Sequence, residues 1–131
     1  MKYMLLMQGP EAEWKGFLTI PPADLAAHHA FMTEFNAQLS ATGELVAAHG
    51  LAGPDEAIVV QAGPDGTPVI TDGPFAESKE FLAGYWIVEC DSRQRAIEIA
   101  AKASVAPGRG GQPVRVPIQI RQVMDAPPSP A

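Results

Sequence analysis

Apolar side chains fall on both sides of the first segment. Lys2 to Gln8 alternates only weakly, the pattern of a strand covered on both faces. Gly9 to Pro22 is expected to be a loop, punctuated by Pro10, Gly16, Pro21 and Pro22. A helix follows from a cap at Asp24 to about Thr42, and Gly43 stops it. Its apolar stripe is Leu25, His28, Met32, Phe35 and Leu39, at helical spacing. That spacing turns His28 toward the core and leaves His29 at the stripe's edge.

The pattern then changes to period two. Glu44 to Leu51 is a second strand, and simple alternation puts Leu45, Ala47, His49 and Leu51 on one face. Gly53-Pro54-Asp55 breaks it. Ala57 to Ala62 and Thr67 to Thr71 form a hairpin about the turn Gly63-Pro64-Asp65-Gly66, since Asp-Gly is a favoured hairpin pair. Leu82 to Cys90 is the clearest strand: Tyr85, Ile87 and Glu89 share one face, Trp86, Val88 and Cys90 the other. Ser92 caps a second helix to about Ala103, with Ala96, Ile99, Ala100 and Ala103 inward. Pro107 to Pro113 is a loop. Val114 to Val123 is a last strand, with Pro117 marking an edge or bulge.

The order is βα-ββ-β-αβ, an α+β pattern in which two helices cover one face of a sheet of about four or five strands. Several strands are apolar on both faces. The second face therefore needs a cover, and a second copy of the same sheet supplies one. Symmetric dimers are the commonest oligomers, so a homodimer is expected.

Composition narrows the class. The chain has 131 residues, which fits one domain, assigned to residues 1–124 with a proline-bearing tail over 125–131 expected to be disordered. A hydrophobic fraction of 47% fits a soluble globular protein. No apolar run approaches the ~18 residues of a membrane span, and no membrane partner is expected. The apolar start, Met1 to Gln8, lacks a small-residue cleavage site and is read as a strand rather than a signal peptide. Fifteen acidic against nine basic residues give a net charge of −6, with no basic stripe for nucleic acid. The lone Cys90 suits a reducing cytoplasm.

The stretch Thr71-Asp72-Gly73-Pro74-Phe75-Ala76-Glu77-Ser78-Lys79-Glu80 is the densest in chemical features. Together with Met1-Lys2-Tyr3-Met4-Leu5-Leu6, Gly43-Glu44-Leu45-Val46, Val69-Ile70, Gly84-Tyr85-Trp86 and Val114-Arg115-Val116, it resembles the YCII-related family in its DGPF subgroup. Ser78 stands where that signature commonly has Thr. The resemblance spans nearly the whole chain. It implies a ferredoxin-like α+β sandwich that dimerises face to face into an α/β barrel. Some relatives have been proposed as enzymes using a His–Asp pair in a cleft, and some are associated with alternative sigma factors. The His–Asp pair is not carried over, because Ala101-Lys102-Ala103-Ser104-Val105-Ala106 holds no Asp where those relatives have one.

The candidate chemistry has two readings at each position. Asp72 either caps the turn through its carboxylate or stands at a cleft mouth as an acid or base. Phe75 is an anchor under the loop or an aromatic wall for a ligand. Lys79 belongs to a solvated face or meets an anionic ligand group. His49 and His28 are hydrogen-bonded structural histidines or general bases, imidazole being the side chain that ordinarily titrates nearest neutrality. Tyr85 is the further ligand-binding candidate. No metal site is expected, because His28 and His29 diverge by about 100° on a helix and no Cys-x-x-Cys or His-x-x-x-His occurs. Gly108-Arg109-Gly110-Gly111 lacks phosphate-loop spacing, no Gly-x-Ser-x-Gly elbow exists, and no cofactor is expected. Cys90 is read as a buried strand residue.

The expected function is small-molecule binding in a cleft beside the signature loop. The alternatives are a small cofactor-independent enzyme using a His/Asp acid–base pair, and a regulatory protein acting with a sigma factor.

Overall fold

The structure is a computed structural model and describes residues 1–73 and 80–124. Phe75 and Lys79 lie outside the described residues, as does the tail.

Four strands form one antiparallel sheet: β1 (Lys2–Gly9), β2 (Leu45–Gly50), β5 (Phe81–Glu89) and β6 (Ile118–Gln122), in the order β2-β5-β1-β6. Two more, β3 (Ile58–Ala62) and β4 (Pro68–Asp72), form a separate hairpin. The helices are α1 (Glu11–Leu18), α2 (Pro22–Ala41) and α3 (Arg93–Ser104). This is an α+β protein whose strand order is compatible with the split βαβ, ferredoxin-like arrangement.

Helices α2 and α3 cover one face of the sheet. Tyr3 and Leu5 of β1 and Trp86 and Val88 of β5 meet Phe35 and Leu39 of α2 and Ala96, Ile99, Ala100 and Ala103 of α3 in one core. The alanines let α3 lie close to the sheet. Leu5, Val88 and Ile99 are fully buried, each stabilising by about 1.5–3 kcal/mol. Trp86 is fixed within this core: its ring meets Phe35 edge-on at 5.7 Å, and its Nε1–H donates to Asn36 Oδ1 at 2.8 Å.

The strand faces of β5 and the inward face of α3 match the periodicity of the sequence. Ser92 caps α3 as expected, its Oγ accepting the Arg95 amide at 3.1 Å. The Asp65-Gly66 turn also forms, with Thr67 N–H donating to Asp65 Oδ1 at 2.9 Å.

Four expectations are corrected. The segment expected to be a loop after β1 contains α1. Its eight residues, Glu-Ala-Glu-Trp-Lys-Gly-Phe-Leu, are favoured by acids in the first turn and by a Glu11–Lys15 pair at 3.0 Å. Its Trp14 indole lies against the Gly53 backbone. Helix α2 begins earlier, at Pro22, because proline at the first position needs no N–H and has its φ already set. Asp24 is therefore not its cap, and its carboxylate instead accepts the Gly110 amide at 2.9 Å. Strand β6 is shorter than the expected Val114 to Val123, because Arg115 takes a positive φ of 52° and Pro117 cannot donate to a ladder.

The fourth correction concerns β2. Its pairing with β5 shifts register between Leu45 and Ala47, a bulge at Val46. Leu45 and Ala48 pack against the helix-covered core. Ala47 and His49, paired with Ile87 and Tyr85, are turned to the opposite face. Leu45 and His49 do not share a face.

Candidate functional site

The sheet face away from α2 and α3 carries the side chains that strand alternation excludes from the core. Across β2, β5, β1 and β6, one row runs His49, Tyr85, Leu6, Gln119 and the next runs Ala47, Ile87, Met4, Arg121. Leu6, Met4, Ile87 and Tyr85 are partly buried, whereas His49, Gln119 and Arg121 are exposed. The surface is thus an apolar floor with polar groups along both margins.

His49 and Tyr85 meet on this face. His49 Nδ1 lies 3.0 Å from the Tyr85 hydroxyl, with the rings tilted by 53°. The backbones approach closely beside them. A Cβ at Gly84 would stand 2.9 Å from the His49 carbonyl oxygen, so only glycine allows β2 to sit there. The pair has two proton arrangements. Either the phenol donates to Nδ1 and Nε2–H is the outward donor, or Nδ1–H donates to the phenol oxygen. In the second, the phenolic proton and the Nε2 lone pair are both presented outward. The pair can therefore hold a hydroxyl, carbonyl or carboxylate group, and it can pass a proton between two positions.

At the same end of the sheet, where β2 ends and β5 begins, is an open cleft of about 270 Å³. Its lining is mostly apolar and includes Leu51, Ala57, Phe81 and Leu82, with Glu56 at the margin.

The other candidates are not hydrogen-bonded to this pair among the described residues. His28 is on α2, in the helix layer behind the sheet. Its Nδ1–H donates to the Pro107 carbonyl at 2.9 Å, and Phe17 meets its ring edge-on at 4.7 Å. Burial pushes its pKa below the ordinary imidazole value, the Pro107 hydrogen bond opposing that shift. It tethers the segment after α3 to α2, assisted by the Asp24–Gly110 bond and by Arg109 donating to Thr19 at 3.2 Å. Asp72 is exposed at the end of β4, paired across the hairpin with Ile58. The described hydrogen bonds join neither histidine to Asp72. Among the described residues, no group of three or more His, Cys, Asp or Glu side chains is placed to hold a metal ion. No helix among them is long and apolar enough to cross a membrane.

Sequence reasoning singled out His49 and Tyr85 separately but not as partners. It missed Leu6, Gln119 and Arg121 as neighbours, because these come from strands distant in sequence. It also missed the ion pair of Glu44 with Arg95. Arg95 Nε and a terminal nitrogen each lie 2.8 Å from a Glu44 carboxylate oxygen, a two-pronged contact that ties the start of β2 to α3.

A stretch of 51 residues is 41% identical to an uncharacterised protein of Rhizobium meliloti (strain 1021), covering 38% of this chain and 41% of that protein. The match thus spans less than half the length of that relative. The model of the YCII-related domain matches residues 1–111, and the chain belongs to that family.

Proposed function

We propose that this chain is a small-molecule-binding protein of the DGPF subgroup that works as a homodimer, with its binding site on the open sheet face around His49 and Tyr85. The His49–Tyr85 hydrogen bond carries this reading. An imidazole and a phenol in contact above partly buried Leu6 and Ile87 suit a small, largely apolar molecule bearing one hydroxyl, carbonyl or carboxylate group. The cleft at Leu51 and Phe81 lies at the same end of the sheet and gives its apolar part room. A second copy laid over this face would exclude water from the site and complete a dimeric barrel. The same pair favours a second reading, acid–base catalysis without a cofactor, because one arrangement exposes a proton and a lone pair together.

Nuclear magnetic resonance titration with 4-hydroxybenzoate, salicylate and cinnamate tests the site. Binding by at least one is expected to move the His49, Tyr85, Leu6 and Ile87 signals together, and His49→Ala to weaken it about tenfold. Shifts confined to another part of the fold, or no binding by any of the three, would overturn the assignment. Sedimentation of the wild-type chain at micromolar concentration tests the dimer, and a monomer there would remove it.

A further inference from the structure

The β3–β4 hairpin is paired with itself and belongs to neither layer of the main sheet. An isolated two-stranded hairpin is marginal in water. This one is also apolar: Ile58, Val60 and Ile70 are 64%, 61% and 62% exposed, and cross-strand pairing places all three on one face. Val69, on the other face, is 53% exposed. A contiguous exposed patch of branched aliphatic residues marks a surface that meets another. Among the described residues nothing covers this face of the hairpin.

We infer that this hairpin is an arm that docks on the open sheet face of a second copy of the chain, the Ile58–Val60–Ile70 face lying on the apolar floor and Asp72 meeting Arg121 of that copy. The inference rests on the homodimer proposed above and specifies which element completes it. Charge complementarity selects the occupant. Asp72 pairs with Ile58 and so puts a carboxylate on the apolar face of the hairpin. Arg121 pairs with Met4 and so puts a guanidinium beside the apolar floor of the open sheet. At the far end of that face Glu89 is paired with the N-terminal ammonium at 2.9 Å, and Lys2 stands opposite it, so that end offers Asp72 a less isolated partner than Arg121. Chain direction agrees with the arrangement. The hairpin leaves the sheet where β2 ends and β5 begins, the end nearest His49 and Tyr85, so an arm reaching to a second copy springs from the margin of the site. The docked arm would shelter the His49–Tyr85 pair of that copy from solvent.

Sedimentation equilibrium on the full chain tests this, with circular dichroism as a check on folding. Because the hairpin lies outside the main sheet, Val60→Ser with Ile70→Ser is expected to keep the native spectrum while raising the dimer dissociation constant about a hundredfold. Asp72→Arg and Arg121→Glu should each raise it about tenfold, and together should return it to within about threefold of wild type. A Val60→Ser/Ile70→Ser chain that dimerises normally would overturn the arm while leaving the homodimer itself standing. Single reversals without effect, or a double reversal without recovery, would overturn the Asp72–Arg121 contact and with it the proposed seat of the arm. A monomeric wild type would remove both proposals.

Discussion

His49 and Tyr85 share a hydrogen bond at 3.0 Å across the β2–β5 pair, on the face of the sheet that α2 and α3 leave open. The proton in that bond has two possible owners, and the phenol decides between them. Tyr85→Phe removes the oxygen and is expected to change the imidazole tautomer balance. Nitrogen-15 chemical shifts of His49 in the two proteins measure this directly. Identical shifts would mean that the contact is not populated in solution. The stability cost should stay below about 1 kcal/mol, because His49 is exposed and water replaces the lost partner.

Glu44 should carry part of the protein's acid sensitivity. The two-pronged hydrogen bond from Arg95 pulls its pKa from 4.5 down to about 2, with a further bond from Thr42 and against the opposing effect of burial. A carboxylate whose folded pKa lies below its unfolded value contributes stability that is complete above 4.5 and is lost as pH falls through about 2. Glu44→Gln is expected to cost about 1 kcal/mol at pH 7, a modest figure because Arg95 remains partly solvated. In urea unfolding the gap between variant and wild type should narrow progressively below pH 4.5. A gap that is unchanged at pH 2.5 would show that Glu44 does not titrate with folding.

The Trp86–Asn36 bond ties the sheet to α2 through one buried donor. Trp86→Phe should cost about 2–3 kcal/mol, combining a lost hydrogen bond with a small cavity. Asn36→Ala should cost about 1–2 kcal/mol by leaving the indole N–H without its partner. Their double-mutant cycle should give a coupling of about 1 kcal/mol, and additive costs would contradict a direct bond.

The sequence pattern announced those parts of the fold in which one side chain has one neighbour layer. β5 sorts Tyr85 and Ile87 from Trp86 and Val88 without ambiguity, and α3 shows its alanine face from Ala96 to Ala103. Alternation fails at β2, because it presumes that every residue takes a place in the ladder, and Val46 does not. The short α1 was masked by the prolines on either side of it, although its Glu11–Lys15 spacing was visible. The site was half legible. His49 and Tyr85 could be marked as chemically capable, but their meeting depends on strand register, which is a property of two distant segments at once. The stretch from Asp72 stands out in the sequence because its residue types are unusual. Strand faces that use ordinary residues, such as Leu6 and Ile87, give no comparable signal.

The bulge at Val46 divides β2 into two reading frames. Before it Leu45 faces the core; after it the alternation restarts one residue late, with Ala47 and His49 on the open face and Ala48 on the core. Removing Val46 would leave Leu45 inward and His49 outward, because the bulge residue occupies no place in the ladder. Adding one more residue between them would rotate His49 into the helix layer and part it from Tyr85. The length of this strand therefore acts as a switch in one direction only. One inserted residue moves the imidazole from site to core, whereas loss of the bulge residue leaves it in place.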